Sequence, residues 1–411
     1  MTDTIELRPF TRDEFAVATE LVELAFMLQG RPEDREVFAA VLEFERSLGA
    51  FAGARMVGTA AAHSFELTVP GGTAPAGGVT IVTVHPAYRR RGILSSMMDR
   101  QLADLREGGE AIAVLRASEA SIYSRFGYAT ASRELSLDLD RWAATLVPDA
   151  PTDKALSLDL ADPAHVRDEL AAVYDAVRAG TPGFIGRSGP AWADVLHDPD
   201  HRRGGATALR AALVGDGTTT SGYATYRVRE NWDDNGLPTG SVIVEELVAS
   251  TPAAAAALWR HVLDIDLTAR ISLGTRPVDE PLLRLLANPR RARAQVFDSL
   301  WLRLVRLGEA LAARRYAAPV DLVLEVTDTR CPWNAGRWRL AGDESGATCT
   351  RSSDPADLRL DTTALAGAYL GDPVLAGRAA AGLIDERRPG ALRRLATSMG
   401  WSPGPWCPHH F

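Results

Sequence analysis

The chain has 411 residues, too many for one ordinary hydrophobic core, so two or three domains are expected. Its 46% hydrophobic and 24% charged residues fit a globular protein and exclude a chain dominated by biased tracts. The formal net charge of −8 excludes a general nucleic-acid binder, which needs a basic footprint, and is compatible with a cationic substrate only as long-range steering. Lys154 is the one lysine, a bias that reads as genome composition. The N-terminal stretch carries charge from Asp3 and lacks the apolar region of a secretory signal. No run approaches the roughly 18 apolar residues of a membrane span. The three cysteines, Cys331, Cys349 and Cys407, form no C-x-x-C pair. A cytoplasmic protein with neither nucleic-acid nor membrane partners is expected.

In chain order, IELRPF (5–10) predicts a strand, and Thr11 with Glu14 has capping-box spacing ahead of a helix through Phe15, Ala18, Leu21, Val22 and Ala25. A second helix is predicted over 32–48, then strands over 49–54 and 57–64 with a turn at 53–56. The β-branched run 79–84 predicts a buried strand ended by Pro86. Gly92 opens a helix whose apolar positions Ile93, Leu94, Met97, Met98, Leu102 and Leu105 fall at helical spacing, and Gly108 and Gly109 stop it. A strand over 111–118 and a short helix over 121–128 complete a β–α–β–α unit, the signature of an α/β sheet. Strand 242–248, a helix from Pro252 and strand 269–274 repeat the pattern, but their turn, VASTPA, has neither glycine nor arginine. A helix is predicted over 297–316, followed by strands in VDLVLEVTD, GRWRLAG and GATCTR. Helices near 361–369, 373–384 and ALRRLATSMG come next. The prolines of WSPGPWCPHHF forbid regular helix and predict an extended tail.

The turn Arg89-Arg90-Arg91-Gly92 lies between a strand end and a helix start, where unpaired N–H groups and the helix dipole favour an anion. Three arginines add permanent positive charge, and Gly92 permits close backbone approach. A pyrophosphate suits such a turn; a solvated basic turn is the bland alternative. Tyr123, Phe126 and Tyr128 form a short aromatic helix that would equally serve as core. Cys407, His409 and His410 fit no standard zinc spacing, and no metal is expected.

Arg89-x-x-Gly92-x-Leu94 resembles the acetyl-CoA turn of the GNAT acetyltransferase superfamily, with Leu94 where a small residue is usual. Together with LTVPGG (67–72), HPAYRRRGIL (85–94), ASEASIYSRFGY (117–128) and a terminal Phe411, it resembles the enhanced intracellular survival (Eis) family of N-acetyltransferases. The resemblance implies an α/β (α+β) chain with a catalytic GNAT domain over 1–135 and a degenerate GNAT-like domain over 136–290. A sterol-carrier-protein-like α/β domain over 291–411 would end in a tail that reaches the active site. It further implies a homohexamer and acetyl-CoA as acetyl donor. Val82, Thr83 and Val84 would pair with the pantetheine arm. Arg89, Arg90, Arg91, Gly92, Ile93, Leu94 and Ser95 would hold the pyrophosphate, with Ser118 and Glu119 flanking the cofactor. Tyr123 would be the general acid and the Phe411 carboxylate the general base.

The implied reaction is N-acetylation of aminoglycoside-like or polyamine molecules by direct attack, a chemistry of antibiotic resistance. Protein or peptide lysine acetylation is the alternative, and a non-catalytic CoA- or lipid-binding protein a second. The segment AFMLQG (25–30) has none of the acidic side chains expected to greet a multi-amine drug. Glu33, Asp34, Glu36, Glu43 and Glu45 could receive a polycation or simply form a solvated face.

Overall fold

The structure, a computed structural model, describes residues 4–411 and divides into two units. The first comprises the chain up to Ser132, Ser299–Pro405 and His409–Phe411; the second comprises Arg133–Asp298 and Trp406–Pro408.

In the first unit, strand β1 (Ile5–Arg8) leads to helix α1 (Phe15–Phe26). The Glu14 carboxylate accepts from the Thr11 N–H at 2.9 Å, satisfying one donor at the helix start. Helix α2 (Pro32–Val41) follows, then strands β2 (Ser47–Ala52), β3 (Arg55–Val69) and β4 (Gly72–Val84). The predicted helix over 32–48 thus stops at Val41. Residues 47–51 are wholly buried and join the sheet, and the Ser47 hydroxyl accepts from the Phe10 N–H at 3.1 Å. Helix α3 (Ile93–Glu107), strand β5 (Ile112–Arg116), helix α4 (Ala120–Tyr123) and strand β6 (Ala129–Thr130) complete the opening segment.

The second unit is one sheet with helices. Its strands are β7 (Arg133–Asp140), β8 (Ser157–Ala161), β9 (Arg210–Gly215), β10 (Thr220–Arg229), β11 (Gly240–Ala249), β12 (Thr268–Pro277) and β13 (Gln295–Asp298). They are ordered β13-β7-β12-β11-β10-β9-β8. Helices α5 (Arg167–Arg178) and α6 (Gly189–Val195) precede β9, and α7 (Pro252–Asp264) connects the parallel pair β11 and β12. Thr251 caps α7, its hydroxyl accepting from the Ala254 N–H at 3.2 Å, and Pro252 occupies the first turn. Leu137, Val242, Leu258, Trp259 and Ile271 are all but fully buried in its core.

The predicted helix over 297–316 is the largest departure. Leu300–Leu304 is a strand, β14, and only Leu307–Ala313 is helical, α8. β14 inserts between β5 and β6, giving the sheet order β1-β2-β3-β4-β5-β14-β6. Every residue of β14 is buried. A strand covered on both faces shows no alternation, so its short apolar run looks like half a helix. Even Arg303 is enclosed, its guanidinium 2.7 Å from Asp328 and 2.9 Å from the Thr362 hydroxyl.

The rest of the first unit is a five-stranded sheet built from β15 (Val320–Thr327), β16 (Gly336–Asp343), β17 (Gly346–Arg351), β18 (Leu358–Asp361) and β19 (Ile384–Glu386), in the order β17-β16-β15-β18-β19. Helices α9 (Thr362–Ala368), α10 (Leu375–Ala380) and α11 (Ala391–Met399) complete it. The segment predicted as helix over 373–384 is helical only to Ala380, and Ile384 enters the sheet edge opposite Leu360. Residues 401–411 contain no helix or strand. Among the described residues, no helix is long and apolar enough to cross a membrane.

Candidate active site

The site begins with a strand pair that comes apart. β4 and β5 run parallel, but only residues 76–78 pair with 112–114. Past that point β4 is hydrogen-bonded to β3 alone, and its register slips opposite Thr59 and Ala61. Ile81 takes a left-handed backbone, φ +45°, and the Thr59 hydroxyl donates to its carbonyl at 2.8 Å. A bulge of this kind bends a strand and frees backbone groups from the ladder.

The divergence opens a cavity of about 880 Å³. Val82, Thr83 and Val84 line one wall; Ser118, Glu119, Ser121, Ile122, Tyr123 and Arg125 line the other. The turn between β4 and α3 contributes Tyr88, Arg89, Arg90, Gly92, Ile93, Leu94 and Ser95. His85 sets this turn, its Nδ1 accepting from the Ala87 N–H at 3.2 Å. Arg90 (φ +62°) and Gly92 (φ +83°) are both left-handed, a pattern that turns successive N–H groups toward one side. The first hydrogen bond of α3 runs from the Ser96 N–H to the Gly92 carbonyl at 3.0 Å. The N–H groups of Ile93, Leu94 and Ser95 are therefore not used within the helix. The concavity suits a di-anion.

Arg91 does not line the cavity. Its guanidinium lies over the Tyr88 ring at 4.8 Å and donates to the Ala87 carbonyl at 3.2 Å. All the other residues expected to hold the cofactor are gathered there.

Tyr123 combines the two readings left open by the sequence. It packs in the core cluster with Phe126 and Tyr128, its ring 6.1 Å from that of Tyr128, and it also faces the cavity. Burial pushes its phenol up to about 12, so it carries its proton throughout the neutral range.

Phe411 lies in the same unit, 4.8 Å ring to ring from Phe65 of β3 and 6.4 Å from His63. The His409 carbonyl accepts from Arg116 at 3.2 Å, two residues before Ser118. Phe65 reaches this place because β4 carries Gly78 diagonally across from it, in register with His63: a Cβ there would come within 2.0 Å of the Phe65 ring. His63, Phe65, Gly78 and Arg116 form a seat for the chain end that sequence reasoning missed. Nothing local signals contacts between positions this far apart along the chain, His63 and Phe65 with Phe411 and Arg116 with His409. Ala25, Phe26 and Met27 also line the cavity, so the acid-free end of α1 does border the site. Among the described residues, no group of three or more His, Cys, Asp or Glu side chains could hold a metal ion.

Residues 6–131 match the family model of an acetyltransferase (GNAT) domain, residues 183–307 a second acetyltransferase (GNAT) domain, and residues 307–408 a sterol carrier protein domain. An uncharacterized N-acetyltransferase of Streptomyces avermitilis is 43% identical over 411 residues, covering 99% of this chain and all of its own. The N-acetyltransferase Eis of Mycobacterium tuberculosis is 37% identical over 357 residues, 84% of each chain. The crystal structure of Eis1 from Mycobacterium abscessus matches at a TM-score of 0.83 and 33% identity, over 99% of this chain and 100% of that one.

Proposed function

Because the chain belongs to the Eis-like N-acetyltransferases of the GNAT superfamily, we propose that it acetylates amines of aminoglycoside-like or polyamine small molecules by direct attack on acetyl-CoA. It is an acyltransferase whose acetyl donor is acetyl-CoA. The observation that carries the finer reading is the single cavity that brings the freed backbone of Val82, Thr83 and Val84 together with the Arg89–Ser95 turn and Tyr123.

The pantetheine arm extends along Val82 to Val84 as an added strand, and the pyrophosphate takes the N–H groups and arginines of the turn. Ser118 and Glu119 flank the cofactor from the β5 side. The amine nitrogen attacks the acetyl carbon, and a strand N–H near Val84 meets the oxyanion. The carbon–sulfur bond then breaks, and the thiolate takes the Tyr123 proton. The Phe411 carboxylate receives the proton released by the amine, directly or through a water. A free α-carboxylate, near 3.5, is a weak base toward an ammonium. Its aromatic seat packs the Phe411 ring against Phe65 and His409, and the charge of the carboxylate adds a pull on a cationic substrate. A homohexameric assembly is part of this proposal and is read from mass in solution by light scattering.

The test is thiol release from acetyl-CoA with aminoglycosides, simple polyamines and lysine peptides, with Tyr123→Phe alongside. Release that requires an aminoglycoside or polyamine and drops in the variant is expected. Release with peptides alone would move the acceptor to a protein lysine.

A further inference from the structure

The cavity that holds Tyr123 is bordered by the C-terminal end of α1, and that end is apolar and exposed. Leu24, Phe26, Met27 and Leu28 are all exposed there, and Phe26 and Met27, with Ala25, line the cavity itself. Met27 is the most exposed of the four, at 91%. It also ends the helix in the left-handed region, φ +57°, a place usually given to glycine or asparagine. The Leu28 N–H donates to the Glu23 carbonyl at 2.9 Å and fixes this end. An apolar side chain kept in a costly backbone conformation and turned almost wholly to solvent serves neither the helix nor the core.

The charges around the cavity point the same way. Glu119 is the one carboxylate among the lining residues, against Arg89, Arg90 and Arg125. Glu23, the acid nearest Met27 in the sequence, is held by Arg35 of α2 through two hydrogen bonds, at 2.8 and 2.7 Å. Gly30 lies tight on that pair: a Cβ there would come within 1.8 Å of the Glu23 carboxylate. Glu23 is thus engaged in closing the loop between α1 and α2 and is not among the lining residues. On this side of the cavity a second ammonium meets no lining carboxylate, whereas an alkyl or aryl group meets Phe26 and Met27.

We propose that the end of α1 is an apolar subsite for the acceptor, that Met27 sets its specificity, and that the preferred acceptor is an amphiphilic amine. This rests on the amine acetylation proposed above and narrows its substrate class to amines that carry an alkyl or aryl body. The amino group enters the cavity toward Tyr123, and the apolar body covers Phe26 and Met27, removing both surfaces from water. The unbranched thioether of Met27 adapts to bodies of different shape.

The experiment reads kcat/KM by thiol release for spermine and for N-hexylspermine, with the unaltered chain and with Met27→Gly, Met27→Leu and Met27→Glu. In the unaltered chain the hexyl derivative should be favoured on the order of 10-fold, what about two buried methylenes supply, chiefly through KM. Met27→Gly should cut that preference to about twofold or less. Glycine is at ease at this left-handed position, so the loss cannot come from a misfolded loop. Met27→Leu, which keeps the apolar bulk, should hold the preference within about threefold. Met27→Glu should turn it toward spermine, whose further ammonium then gains a partner. Equal kcat/KM for the two amines, or an unaltered preference in Met27→Gly, overturns the subsite and leaves amine acetylation standing. Absence of thiol release with every amine overturns amine acetylation, and the subsite with it. A smaller mass of Met27→Glu on light scattering, with the preference unaltered, overturns the subsite too and assigns the end of α1 to contact with a second copy.

Discussion

The two GNAT modules of this chain share a parallel strand pair that parts beyond its first few residues, with a helix crossing between the strands. In the first module, the turn into that helix is Arg89-Arg90-Arg91-Gly92, with two left-handed residues and open space above Gly92. In the second it is Ser250-Thr251-Pro252, where the Thr251 hydroxyl consumes a helix N–H that an anion would otherwise use. One gap is a cavity; the other holds Arg276, Glu280 and Trp406. The difference teaches that the strand split is a property of the fold, whereas an open gap and a turn with free helix N–H groups depend on a few residues at the turn and on what fills the gap.

The largest expected effect tests the chemistry of the open module. Tyr123→Phe should cost about 10²-fold or more in kcat, the usual contribution of a positioned acid, with acetyl-CoA affinity within about twofold. The pH profile sharpens the same assignment. Burial raises the Tyr123 phenol, so the proton-bearing form persists as pH rises and is lost only toward about 12. The kcat/KM profile should therefore show no basic limb from this group below about pH 10. A limb near 8 that disappears in Tyr123→Phe would break the assignment. Next in size, Arg89→Ala should weaken acetyl-CoA about 10-fold, the scale of one charge-assisted hydrogen bond, and leave kcat at saturation nearly unchanged. Calorimetric titration of the cofactor checks it.

The open module was legible because its signals are local. The capping box, the β-branched strand, the glycine-arginine turn and the helical spacing of Ile93 to Leu105 all fall within short windows, and the structure carries α1, β4 and α3 there. Strand β14 was not legible, because burial on both faces erased its alternation and its partners β5 and β6 lie almost 200 residues upstream. The seat of Phe411 on His63, Phe65 and Arg116 was hidden for the same reason. The missing glycine in VASTPA did mark the second turn as altered, but no pattern in the sequence announced that Trp406 lies in the gap beside it.

The smallest predicted effect is the one that separates the two turns most cleanly. Thr251 holds the place in its turn that Gly92 holds in the other, and its hydroxyl accepts from the Ala254 N–H at 3.2 Å. Removing that acceptor leaves a helix N–H to water and exposes the helix dipole, which costs about 1 kcal/mol. Thr251→Ala should lower the urea midpoint accordingly. If the cap is structural only, the variant should leave acetyl-CoA affinity and kcat unchanged, in contrast with Arg89→Ala, which should weaken the cofactor and leave the midpoint unchanged. A second equivalent of acetyl-CoA bound by Thr251→Ala would mean that the cap, and not the filled gap, is what closes the second module to the cofactor.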